Sequence, residues 1–103
     1  MMTVREFGTA VALAEMRATA NFMSISPKVM TRFCFHINGL FLCTVALLDN
    51  REFEYNHMIG WSEFDTCSDP NQLLQAAIDI TANAFKRAQA SPIAPVDTGW
   101  VKP

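Results

Sequence analysis

The sequence lacks long apolar runs and has little charge for its length. No stretch of the 103 residues is apolar over the ~20 residues that a membrane-spanning helix requires. Only 17% of the residues are charged and the formal net charge is −2. A chain of this charge has no overall attraction to nucleic acid or to anionic membranes. We therefore expect neither a membrane nor a nucleic acid as a direct partner.

Residues that carry common catalytic chemistry are also scarce. The four glycines are scattered, so no glycine-rich loop can cradle a phosphate. There are two histidines, and no G-x-S-x-G sequence surrounds a serine. These absences predict a protein that is not an enzyme and that carries no cofactor.

The three cysteines are an odd number, which is not typical of a secreted disulfide scaffold. A cytoplasmic location is therefore expected. Half of the residues are apolar, and a chain of this length can bury a core without a metal or a disulfide. We predict one domain over residues 1–91, followed by an extended tail, residues 92–103, that contains Pro92 and Pro95 and packs on the domain.

Two helices are predicted, one at each end of the domain. The first begins after Thr3, which has capping-box spacing to Glu6. The last begins after Asp69, with Pro70 at the first helical position. Each carries an apolar stripe at helical spacing. The stripes are Phe7, Val11, Ala14, Ala18 and Phe22 in the first helix, and Leu73, Leu74, Ala77, Ile78, Thr81, Ala84, Phe85 and Ala88 in the last.

A β-hairpin is predicted around Asn38 and Gly39, the dipeptide most typical of a type I′ turn. It joins two predicted strands, residues 29–37 and 40–48. In the first strand, side chains at alternate positions are expected to point to opposite faces of the sheet. A two-residue turn at Asn38 and Gly39 places Cys34 directly opposite Cys43. A cross-strand disulfide is then geometrically allowed, although two free thiols are favoured in a cytoplasmic chain.

A third strand is predicted over residues 51–61, after a tight turn at Asp49 and Asn50. With two residues in that turn, Leu40 pairs with Ile59. The fold class is then α+β in the order αβββα: a three-stranded antiparallel meander with two helices packed on one face. The residues predicted to face the helices are Phe33, Phe35, Ile37, Leu40, Leu42, Phe53, Tyr55 and Ile59.

The opposite sheet face and an acidic segment are the candidate sites for a partner. The apolar candidates are Phe41, Val45, Leu47 and Met58; the acidic ones are Glu52, Glu54, Glu63 and Asp65. An apolar patch with a polar rim is typical of a protein interface. We predict a non-enzymatic protein-binding module that forms a homodimer, through this face or the alanine-rich first helix. It would act as a small inhibitor or adaptor, of the kind that phages carry, on a partner with a basic surface.

Two other functions remain open. Cys34, His36 and Cys43 share one sheet face and could form a small zinc or thiol-redox module, although their spacing is unlike that of structural zinc sites; no metal is predicted. The order αβββα also occurs in double-stranded-RNA-binding domains, but the last helix begins DPNQLLQ, without the lysines that grip phosphates. A nucleic-acid-binding domain is therefore disfavoured.

Overall fold

The computed structural model describes residues 3–48 and 51–90. In chain order the elements are α1 (Val4–Met23), β1 (Val29–Phe35), β2 (Gly39–Leu48), β3 (Arg51–Gly60), α2 (Trp61–Thr66) and α3 (Pro70–Ala90). The strands form one antiparallel sheet in the order β1-β2-β3. The predicted α+β class and the αβββα order are confirmed, with the short helix α2 added between β3 and the last helix. The predicted tail, residues 92–103, lies outside the described residues.

Both long helices begin where the sequence predicts. The Thr3 hydroxyl accepts the Glu6 N–H at 3.1 Å, and Glu6 Oε1 accepts the Thr3 N–H at 2.9 Å, which completes the capping box. At the start of α3, Asp69 Oδ1 accepts the Asn71 N–H at 3.0 Å. These bonds satisfy backbone donors that have no partner within the helix.

One face of α1 packs in the interior of the domain. Ala14 and Ala18 have no exposed surface, and α1 contacts both α3 and β1. Phe22 is also fully buried and lies 6.2 Å from the Phe85 ring of α3, measured between ring centroids. The face of α1 that carries Ala14 and Ala18 is therefore occupied within the chain, whereas Met16, on another face of the same helix, is 68% exposed.

The register of β2 on β3 is as predicted, whereas that of β1 on β2 is not. Leu40 pairs with Ile59, but Cys34 pairs with Phe41 and not with Cys43. His36 and Gly39 close the hairpin with two backbone hydrogen bonds, of 2.9 and 3.3 Å. The turn is thus centred one residue earlier than predicted, and the pairing of β1 moves by two positions. A shift of two keeps every side chain on its predicted face, because side chains alternate with a period of two.

Gly39 explains why the turn moves. A Cβ at this position would lie 2.3 Å from the Ile59 carbonyl oxygen, so β2 and β3 approach each other closely there. The φ angle of Gly39 is outside the left-handed region that the predicted turn requires. The glycine is needed for close backbone approach and belongs to the strand.

The core lies between the two long helices and one face of the sheet. Most residues predicted to face the helices are buried there: Phe33, Leu40, Leu42, Phe53, Tyr55 and Ile59. Phe35 and Ile37 are exceptions, with exposed fractions of 63% and 86%. Ile37 lies in the turn, and Phe35 lies at the hairpin end of the sheet. The prediction that these two side chains belong to the core is wrong.

Candidate interaction surface

One face of the sheet carries both long helices; no helix of the described residues packs on the other, which we call the open face. Its side chains come from alternate positions of the strands, as the pairing requires. It comprises Lys28, which precedes β1, with Met30, Arg32, Cys34, Phe41, Cys43, Val45, Leu47, Glu52, Glu54, Asn56 and Met58.

The middle of the open face is apolar, and it contains the four apolar residues predicted to bind a partner. Phe41, Val45 and Leu47 come from β2, and Met58 comes from β3. Val45 and Leu47 are each 41% exposed and Met58 is 45% exposed, whereas Phe41 is half-buried. Met30 on β1 extends the same surface. Large apolar side chains therefore meet solvent on all three strands.

Charged side chains lie at the two margins of the open face, with opposite signs. Lys28 and Arg32 are on the β1 side, and Glu52 and Glu54 are on the β3 side. The apolar strand β2 separates them, and strands lie about 4.8 Å apart, so opposite margins are roughly 10 Å apart. Among the residues that the structure describes, none of these four side chains forms an ion pair. The charges are thus available to another molecule.

A shallow groove of about 410 Å³ runs across one end of the open face. Pro27, Lys28 and Met30 line one side, and Val45, Leu47 and Glu52 line the other. The groove connects the two charged margins with the apolar centre. It lies at the end of the sheet opposite the turn between β1 and β2. An aliphatic side chain from a partner could rest in it.

Cys34 and Cys43 are diagonal neighbours on the open face, because the observed register puts Phe41 opposite Cys34 and Arg32 opposite Cys43. The prediction that the two cysteines lie directly opposite is therefore wrong. Both thiols are free. Burial raises the pKa of the Cys43 thiol to about 11, and the adjacent Cys34 thiol adds to the shift. Since the thiolate is the reactive form of cysteine, this environment lowers the reactivity of Cys43.

His36 does not join the two cysteines in a metal site. Its ring packs edge-on against Phe41, with the centroids 5.4 Å apart, and its Nδ1 accepts the Asn38 N–H at 3.2 Å. Over residues 3–48 and 51–90, no group of three or more His, Cys, Asp and Glu side chains is arranged to hold a metal ion.

The four acidic residues predicted to bind a partner are divided between two places. Glu52 and Glu54 are on the open face, whereas Glu63 and Asp65 are on α2. Helix α2 is on the helix side of the sheet, because Phe64 lies 5.1 Å from the Phe7 ring of α1. Glu63 Oε2 also accepts the Gly60 N–H at 2.8 Å and so caps α2. Only Glu52 and Glu54 lie beside the apolar patch.

An aromatic cluster that was not predicted lies at the end of the sheet where β1 turns into β2. Trp61 stacks on Phe35 with centroids 5.9 Å apart, and Phe7 and Phe64 extend the cluster. The Trp61 Nε1–H donates to the His36 carbonyl oxygen at 2.8 Å. The cluster ties α1 and α2 to the β1–β2 hairpin. The sequence feature that could have indicated the cluster is the spacing of Trp61 and Phe64, which are three residues apart after a glycine and would share one face of a helix.

Comparison of the chain with protein-family models, with curated proteins and with solved structures finds no match. No described helix is both long enough and apolar enough to cross a membrane. Function is therefore inferred from the open face itself. Lys28 was not among the residues predicted for this face; the alternation of β1, continued one residue toward Pro27, places it there.

Proposed function

We propose that this chain is a non-enzymatic protein-binding module and that the open face is its binding surface. The observation that carries the proposal is the exposure of Met30, Val45 and Leu47 side by side on β1 and β2, with exposed Met58 further along the same face on β3, beside Phe41. Monomeric proteins rarely expose a large contiguous apolar patch. An apolar centre with charged margins is the usual anatomy of a protein interface.

A role as a stoichiometric inhibitor or adaptor fits such a surface. Glu52 and Glu54 border the patch on the β3 side and would meet basic residues of the partner. Glu63 and Asp65 would form a separate acidic surface on α2. A cytoplasmic site of action is part of the proposal, supported by the three free cysteines. That a phage or other mobile element carries the protein stays a prediction from the type of chain.

The thiol-redox alternative is less favoured on chemical grounds. A redox cysteine needs a stabilised thiolate, and burial shifts the pKa of Cys43 upward, to about 11. A nucleic-acid-binding role is also less favoured, since the net charge is −2 and the cations of the open face are matched by Glu52 and Glu54.

The proposal can be tested with a photo-crosslinking amino acid, p-benzoylphenylalanine, placed at Val45. The matched control carries it at Asn83, which is exposed on α3, on the opposite side of the domain. We expect illumination in native extract to link the position 45 protein to another protein chain, identified by mass spectrometry, in a larger yield than the control. Equal yields at the two positions would contradict the open face as the binding surface.

A further inference from the structure

The charges of the open face have an order that selects a particular partner. Across the sheet, the β1 margin is positive, the β2 centre is apolar and the β3 margin is negative. A surface with this pattern is complementary to itself when it is rotated so that β1 meets β3. On the basis of the proposed function, the chain that best fits the open face is therefore a second copy of the same chain.

We propose that two copies pack open face to open face, with the two-fold axis parallel to β2. This rotation places β1 of one copy over β3 of the other, and places the β2 strands over each other. Packed sheets lie about 10 Å apart, with strand directions within roughly 30° of each other. The apolar side chains of β2 then form the centre of the interface on both sides.

The pairing of the strands sets which charges meet. Lys28, Leu47 and Glu52 lie in one row across the sheet, because Leu47 pairs with Glu52 and the Leu47 N–H donates to the Lys28 carbonyl at 3.0 Å. A rotation about an axis along the strands keeps each row at its own height. Lys28 therefore faces Glu52 of the partner subunit. The Arg32 side chain is one row away from Glu54 of the partner subunit, within reach of its length.

The other face-to-face arrangement is electrostatically unfavourable. With the two-fold axis perpendicular to the strands, β1 lies over β1 and β3 lies over β3. This axis also reverses the order of the rows; when it passes through the row of Val45, Lys28 faces Arg32 of the partner subunit and Glu54 faces Glu54 of the partner subunit. In no position does this axis place a cation of β1 over a carboxylate of β3. Like charges across an interface suppress the arrangement that brings them together, so the order of charges distinguishes between the two axes.

The size of the open face sets the expected strength. Three strands of seven, ten and ten residues cover roughly 14 by 30 Å, or about 400 Å² of projected area per copy. This area is at the low end for specific protein interfaces. We therefore expect a weak dimer that dissociates on dilution in the micromolar range and that is weakened further by salt.

The test uses sedimentation equilibrium of the full chain over a range of concentrations. One variant combines Glu52→Lys with Glu54→Lys, which makes both margins positive; a second combines Lys28→Glu with Arg32→Glu, which makes both negative. We expect each variant alone to dimerise at least about tenfold more weakly than the wild type. An equimolar mixture of the two variants should recover association, because every positive margin then faces a negative one.

The comparison of the wild type with the two double variants fixes the axis. With the axis parallel to β2, each double variant should dimerise far more weakly than the wild type; with the perpendicular axis, like charges meet in the wild type as well, so the wild type would dimerise no more tightly than the double variants. The variant that carries all four substitutions has margins exchanged in sign and should dimerise like the wild type. A wild type that stays monomeric at several hundred micromolar, or double variants that dimerise as strongly as the wild type, would overturn the dimer. Neither result would affect a heterologous crosslink at position 45, so this failure is distinguishable from failure of the proposed function.

Discussion

The backbone N–H of Phe33 donates to the Glu15 carboxylate, at 2.8 Å from Oε1. Phe33 lies on β1, an outer strand of the sheet. Its N–H points away from β2, because the hydrogen-bonded positions of β1 are the even-numbered ones, as His36 and Lys28 show. A side chain of α1 therefore occupies part of an edge that would otherwise be free to pair with another strand.

Removing this carboxylate should destabilise the domain and expose the β1 edge. We expect Glu15→Ala to lower the free energy of unfolding by about 1–2 kcal/mol, since a bond to a charged acceptor is lost at a half-buried site. Glu15→Gln keeps an acceptor oxygen of the same reach and should lose less. Urea unfolding of both variants measures the difference. Equal stability of Glu15→Ala and the wild type would mean that the bond contributes nothing.

The two glycines at positions 8 and 39 should respond to alanine in opposite directions. Gly39→Ala places a Cβ 2.3 Å from the Ile59 carbonyl oxygen, so β2 and β3 must separate locally; we expect a loss of about 2 kcal/mol or more. Nothing lies within 4 Å of a Cβ at Gly8 in α1, so Gly8→Ala should raise stability by up to about 1 kcal/mol. Thermal unfolding checks both. A tolerated Gly39→Ala would contradict the close approach of the strands.

The fold was predictable wherever one local signal decided the structure. Capping residues fixed the starts of both long helices, and two-residue periodicity fixed the face of each strand. The register of β1 was not predictable. Asn38-Gly39 is typical of the two central residues of a turn, but Gly39 closes the hairpin with His36 and lies in β2. A glycine is needed there because of the close approach of Ile59, which is twenty residues away in the sequence. Helix α2 was missed because the alternation of β3 runs on to Trp61, and because its N-cap residue, Gly60, has no side chain that could accept a capping hydrogen bond.

The candidate surface was predictable only in part for a related reason. The alternation of side chains along each strand predicts that one face contains Phe41, Val45, Leu47 and Met58. The shift of β1 by two positions does not change this. The separation of Glu52 and Glu54 from Glu63 and Asp65 depends on where β3 ends, at Gly60. The order of charges across the open face depends on all three strands at once, so no single segment of sequence contains it.

Two buried threonines provide a further contrast. The Thr81 hydroxyl on α3 is fully buried, and it has no hydrogen-bond partner among the described residues. Valine has nearly the same shape without the hydroxyl, so we expect Thr81→Val to raise stability by about 1 kcal/mol. Chemical denaturation measures this, and a clear loss of stability would mean that the hydroxyl is hydrogen-bonded.

Thr44 should behave in the opposite way. Its hydroxyl and that of Thr31 are 2.9 Å apart and buried between β1 and β2. Thr44→Val leaves the Thr31 hydroxyl without this partner, so we expect a loss of about 1–2 kcal/mol. The double variant that also carries Thr31→Val removes both hydroxyls and should recover much of the loss. A double variant that is less stable than Thr44→Val alone would contradict this account.

The half-buried His57 should make stability depend on pH. Burial lowers the pKa of His57, and the nearby Glu63 carboxylate opposes the shift only in part. The unfolded chain therefore binds a proton at a higher pH than the folded chain does. Stability from this residue is complete above the ordinary histidine pKa of about 6.5 and is lost as the pH falls toward the lower folded value.

The change to test is His57→Gln, which cannot be protonated in this range. We expect the unfolding midpoint of the wild type to decrease as the pH is lowered from about 7 to about 5. The midpoint of the variant should decrease less steeply, because protonation at this position no longer favours the unfolded chain. The titration of His57 followed by NMR gives its folded pKa directly. A wild-type midpoint that falls no more steeply than that of His57→Gln would show that burial of this ring does not penalise its charged form.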